Sequence, residues 1–300
     1  MNWVIIGTLS AFTFAVVNIF DKILLVRYIK DVRTFTVMVG VIQVPMGLAV
    51  LPFYPMESHS LQAYLAAYFS GFLWGGSLCA MFLALQKVDV SVVIPVVSTS
   101  PVFVALLAVG LLGEELTIYH WGAILITVSG AVLISSKPSR TSSITSLKKT
   151  FILLLLGTFC MAVAQVLTKV AADDMSVWNL FTLRNQGLAS ACVVLMFRPY
   201  MIGETIRVLS QKETAFVFFM AEGVLVFFSL LLTLWAISLA QVSLVVTVMS
   251  TRPLFVFFMS MVISLPFLHI LDESLEWKTI STKVISTAMI VVGIVSISLL

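Results

Sequence analysis

Three charged side chains lie deep inside apolar stretches of this 300-residue chain: Arg184, Glu222 and Arg252. A charge at the centre of a bilayer costs about 2.5–3.5 kcal/mol on insertion scales. Helical rise puts Arg184 and Arg252 about 12 and 15 Å deep from one membrane face, and Glu222 about 18 Å from the same face in a core about 30 Å thick. A glutamate between two arginines is charge-paired and leaves one net positive charge. The planar guanidinium suits bidentate binding of carboxylate or phosphate. The trio therefore reads either as a structural ion-pair cluster or as a site for an anionic, carboxylate-bearing solute.

A second set pairs an amide with a lysine four residues on, on one helix face: Asn18 with Lys22, and Gln165 with Lys169. Asp21 adjoins Lys22. Near-terminal lysines snorkel or line a gate, whereas Asn18 and Gln165, one turn deeper, are cavity candidates. Glu222 and Asp21 are the acids within apolar segments, and either could couple flux to protons. An acid flanked by arginine gives up its proton readily and carries it poorly.

A third set is duplicated. Residues 90–104 read V-S-V-V-I-P-V-V-S-T-S-P-V-F-V and residues 242–256 read V-S-L-V-V-T-V-M-S-T-R-P-L-F-V, identical at nine of fifteen positions. Proline removes a backbone donor and crowds the carbonyl four residues back. Pro101 should loosen its helix near Val97, and Pro253 near Met249. Ser98, Thr99, Ser250 and Thr251 can satisfy the freed backbone groups. The pair is a packing kink or a hinge on the solute path. Arg252 stands where the first copy has Ser100. Trp74 and Trp235 lie within apolar segments and can pack or line a cavity.

These residues need a scaffold. The chain is 60% hydrophobic and 10% charged, against about 25% charged in soluble domains, so lipid must solvate much of it. Ten segments are long and apolar enough to span, roughly 3–26, 34–54, 63–86, 90–112, 118–136, 150–171, 177–197, 215–239, 243–268 and 280–300. The expected fold is an all-α polytopic membrane protein, ten transmembrane helices as two five-helix repeats. They comprise residues 1–138 and 150–300, joined by a linker at 139–149. The match of 15–22 with 162–169, and of Glu114 with Glu273, extends the repeat. Five spans per half is odd, so the halves are inverted, a plan shared by many secondary transporters.

Connections on one side, face B, carry thirteen Lys and Arg residues; those on face A carry none. The positive-inside rule makes face B cytoplasmic and puts both termini outside. The first apolar segment reads as a retained span. Cys79, Cys160 and Cys192 read as buried thiols. His59, His120 and His269 are scattered without metal-ligand spacing. The charge of +3 is too small and dispersed for nucleic acid.

The ten-span plan, Gly113-Glu114 followed by Gly122 and Gly130, and the paired S-T-x-P helices resemble the drug/metabolite transporter superfamily, EamA type. The resemblance covers essentially the whole chain. It implies a central cavity between the halves and transport of amino acids or other small metabolites. Bacterial members of that family usually have cytoplasmic termini, and the charge bias here points the other way. The expected function is secondary transport of an amino acid or organic anion by alternating access, in an inner or plasma membrane, as monomer or homodimer. No cofactor is expected, since no nucleotide-binding motif occurs. Export of cationic or hydrophobic drug-like compounds is the alternative. A lipid-modifying enzyme or non-transporting scaffold is a further class, but no nucleophile/base set supports an enzyme.

Overall fold

The computed structural model describes residues 2–29, 31–87, 90–135, 144–263 and 277–299. The short stretch 139–143 of the expected linker, and Glu273, lie outside these residues. Apolar runs without competing polar side chains wind into helix throughout, because a helix satisfies its own backbone in lipid.

The first half begins with α1 (Asn2–Ile23), which continues into a π-helical segment, Leu24–Tyr28. Helices α2 (Val32–Leu48) and α3 (Leu61–Leu85) follow. Next come α4 (Val90–Val97), α5 (Ser100–Leu107) with a π-helical end, Ala108–Leu112, and α6 (Ile118–Ser135). The second half holds α7 (Ile144–Ala172), α8 (Val177–Met196) and α9 (Met201–Ser210). It continues through α10 (Lys212–Phe218), a π-helical segment at Phe219–Leu225, and α11 (Val226–Leu239). It closes with α12 (Val242–Met249), α13 (Arg252–Ile263) and α14 (Trp277–Leu299).

Side-chain caps set several starts. Asp31 accepts from the Arg33 and Thr34 amides, each at 3.2 Å, and Ser60 and Ser176 cap α3 and α8. Each cap satisfies an otherwise orphaned amide.

Among the described residues, six helical runs are long and apolar enough to cross a membrane: Trp3–Tyr28, Leu61–Leu85, Val93–Leu112, Lys149–Ala172, Lys212–Leu239 and Val242–Met259. Val32–Leu48, Ile118–Leu133 and Val284–Ile297 are shorter apolar helices. Helix α8 has 20 residues, and Asn179, Arg184, Asn185 and Gln186 dilute its hydropathy.

The main core joins α1, α3, α5, α7, α8, α11 and α12 around Phe14, Val104, Phe181, Leu234 and Val245. Helices α3 and α8 approach closely because glycine stands at the crossing. A Cβ on Gly75 would come within 2.8 Å of the Leu188 carbonyl oxygen, and one on Gly187 or Gly71 would overlap backbone outright. In lipid, such small-residue contacts give dispersion packing that apolar burial cannot supply.

Candidate functional site

The duplicated S-T-x-P segments break their helices where expected. Helix α4 stops at Val97 and α5 starts at Ser100; α12 stops at Met249 and α13 starts at Arg252. Pro101 and Pro253 sit second in the restarted helices, where a missing N–H costs nothing. Thr99 Oγ1 donates to the Val96 carbonyl at 2.6 Å, Ser250 Oγ to Val246 at 3.1 Å, and Thr251 Oγ1 to Val248 at 2.9 Å. The hydroxyls therefore occupy carbonyls at both breaks. Ser98 is half-buried beside them. Helices α5 and α12 pack together, and α1 packs on both α12 and α13. The two restarted helices thus begin mid-chain in the bundle, each with its positive dipole end at a break.

Arg252 opens α13. Its guanidinium lies 4.2 Å from the Phe14 ring centroid, and the Asp21 carboxylate attracts it electrostatically. Asp21 also faces Glu222, so α1 and the π-helical segment bring two acids together beside the guanidinium. Gln43 Nε2 donates to the Glu222 carbonyl at 2.7 Å, tying α2 to the π-helical segment.

The three deep charges do not form one cluster. Among the described residues no ion pair joins Glu222 to either arginine. The Glu222 segment packs against α1 and α2, and its π-helical winding changes the face on which Glu222 emerges. Depth along a helix is countable from sequence; neighbour and face are not. Arg184 sits apart, fully buried, between α3 and α7. Its Nη1 donates to Thr168 Oγ1, its Cζ lies 5.0 Å from the Trp74 ring centroid, and Nε and Nη2 have no partner among the described residues.

The amide–lysine pairs fare differently. On α1, Ala11 and Ala15 are fully buried, while Asn18 and Lys22, on the same face, are exposed. The opposite face, with Ile5, Leu9 and Phe12, is the outward apolar one. On α7, Gln165 is buried with Oε1 unpartnered, and Lys169 Nζ pairs Asp173 at 3.0 Å and reaches the Ile237 carbonyl at 3.3 Å. Equivalent repeat positions are thus open at the face B end and covered at the face A end.

Face A is held by contacts that residue patterns did not disclose. The Glu114 carboxylate takes the Val242 amide at 2.6 Å, the Ser243 amide at 3.4 Å and the Ser243 hydroxyl. Gly113, at φ +67°, makes the left-handed turn that aims Glu114 at α12. Asp174 accepts from Ser60 Oγ at 2.6 Å and Ser60 N at 3.1 Å. Those two hydrogen bonds hold its carboxyl below the usual carboxylate range. His59 bridges the Asp174 carbonyl (3.1 Å) and Asn179 (3.2 Å). Tyr54 stacks on Trp178 at 4.4 Å, and Trp178 meets Trp235 edge-on. Trp235 thus joins the aromatic group of Tyr54 and Trp178 at this end of the bundle. A cavity of about 220 Å³ is lined by Ala49, Val50, Phe53, Tyr54, Trp178 and Phe227; none of the charged candidates lines it. The recurrence of Glu114 as Glu273, together with that of the V-S helix start at 90 and 242, was the available signal for the first clasp.

The sequence model of the EamA-like transporter family matches residues 1–136. A solved crystal structure has the same fold at 14% identity, with a TM-score of 0.66, covering 99% of this chain and 95% of that one. No curated protein matches in sequence. Together with the six apolar helices, the family match makes the chain an integral membrane protein.

Proposed function

We propose that the protein, whose residues 1–136 match the model of the EamA-like transporter family, is a secondary transporter for a small carboxylate-bearing metabolite, an amino acid or organic anion. The ten helical passes form two inverted five-helix repeats that rock about the two helix breaks. The observation that carries this reading is Arg252, half-buried at the start of α13, with Asp21 as its opposing charge. A substrate carboxylate takes over the guanidinium charge that Asp21 otherwise balances, and the neighbouring Asp21 and Glu222 acids give the cycle a route to proton coupling. Arg184, with two unpartnered donors beside Trp74, is a second cation for the same class of solute.

Clasped face A and exposed Asn18 and Lys22 support a state open toward face B, which the Lys and Arg bias makes cytoplasmic. The neighbouring Asp21 and Glu222 acids favour one second reading, a cationic solute held by those acids. Uptake into proteoliposomes of labelled amino acids, organic anions and quaternary amines separates the two. Loss of anion uptake in Arg252→Ala, with partial loss in Arg184→Ala, is expected. Unchanged uptake of the identified substrate in both variants overturns the anion site.

A further inference from the structure

The connection between α8 and α10 contains a helix with three distinct faces. Successive residues of α9 turn by about 100°, which sorts its side chains into sectors. Met201 and Val208 fall on one side and are 1% and 2% exposed. They pack into the clusters around Val37 and Met196, and around Phe35 and Phe218. Ile202, Ile206 and Leu209 form a neighbouring stripe and are 55%, 63% and 49% exposed. Gly203, Arg207 and Ser210 form the remaining exposed sector. A helix in bulk water has no use for the second sector, and a spanning helix has no use for the third. All three are needed by a helix lying along a membrane surface, one side on protein, one in lipid and one in water.

Charge complementarity names the surface. Arg198 and Lys212 flank the helix, both exposed, and Arg207 lies on its water side, 2.5 Å from Glu204. The connections of this face hold thirteen of the chain's seventeen Lys and Arg residues. Basic side chains at a membrane surface attract anionic headgroups over roughly a Debye length. The helix is also wired to the transport core. Tyr200, at its start, donates to Asp31 Oδ2 at 3.1 Å, and Asp31 is the cap of α2. Helix α2 carries Gln43, which holds the Glu222 segment.

We propose that α9 is a membrane-docking helix, seated in the face B leaflet with Ile202, Ile206 and Leu209 among acyl chains and Arg198 and Lys212 on anionic phospholipid headgroups. This does not depend on which solute is carried. The test uses the full chain with Cys160 replaced by serine, reconstituted in vesicles of phosphatidylcholine alone or mixed with phosphatidylglycerol. A fluorophore is attached at Ile206→Cys, or at Ser210→Cys on the water side. Spin-labelled acyl chains should quench the label at 206 and aqueous iodide the label at 210. Phosphatidylglycerol should deepen the contrast, and Arg198→Gln with Lys212→Gln should remove that gain while leaving acyl-chain quenching at 206. Equal iodide quenching at both positions overturns the docking. Acyl-chain quenching at 206 that is the same in both vesicle types overturns the headgroup assignment.

Discussion

Glu114 and Ser243 are 129 residues apart, yet the carboxylate of one receives both the amide and the hydroxyl of the other. With the Val242 amide, this caps the N-terminus of α12 from the opposite half of the chain. The acid is also favourably placed at the positive end of that helix. One side chain therefore starts a helix and fastens α12 to the connection after Leu112.

Glu114→Ala should weaken that closure. Loss of a capping side chain costs about 1 kcal/mol, or about a fivefold shift between closed and open forms. Maleimide labelling of Val246→Cys, on buried α12, should rise about as much, and Ser243→Ala should raise it less. An unchanged labelling rate in Glu114→Ala would show that the clasp does not hold the mouth.

The Asp174–Ser60 clasp gives a pH signature with a defined sign. Its carboxyl titrates below the ordinary value because Ser60 donates twice to the charged form. The clasp is therefore complete above the unfolded carboxylate value, about 3.9, and is lost as pH falls through the lower folded value. Face A accessibility should stay flat with respect to Asp174 between about pH 5 and 8 and increase only in stronger acid. Asp174→Asn should open face A already at neutral pH. Acid-induced opening near pH 6 that disappears in Asp174→Asn would contradict this assignment.

Asp21→Asn removes the charge that competes for Arg252. The anionic substrate should then bind more tightly, with its KM about tenfold lower, the scale of one charge-assisted hydrogen bond. Proton-driven accumulation should fall. Arg252→Lys should retain partial uptake and Arg252→Ala very little. Uptake kinetics in proteoliposomes check all three, and an unaltered KM in Asp21→Asn would remove Asp21 from the substrate exchange.

The glycine crossing of α3 and α8 predicts a stability effect separate from transport. Gly187→Ala and Gly71→Ala place a Cβ against backbone carbonyls of the partner helix. Overpacking of this kind costs about 1–3 kcal/mol. Thermal unfolding in detergent should begin several degrees lower, about the shift such a cost gives. Gly122→Ala, which meets nothing within 4 Å, should leave the melting curve in place.

Much of the architecture follows from local properties. Apolar segments long enough to span must be helical in lipid, and the described residues are helical through most of the expected segments, although α2 stops at Leu48, short of the expected end at residue 54. Proline's missing donor is a local fact, so the breaks after Val97 and Met249 were readable from the residue pattern. An expected depth for Arg184, Glu222 and Arg252 can be counted from the α-helical rise per residue, but the π-helical winding around Glu222 and the break before Arg252 lie outside that count. Helix α9 was missed because its apolar positions are few and its connection is rich in charge. Its three faces exist only relative to what α2 and α10 place beside it.

Partnership is what the tertiary structure decided. From the sequence alone, three charges are expected at similar depth, two helices are expected to break, and two amide–lysine pairs repeat. Folding then set Glu222 against Asp21 instead of against the arginines, put Arg252 over Phe14, and gave Arg184 to Thr168 and Trp74. It also buried Gln165 while leaving Asn18 exposed. The physical reason is that helical rise is a property of one segment. Which faces meet depends on the packing of all segments together, including the glycines that let α3 and α8 close and the π-helical turns that rotate a side chain to a new neighbour.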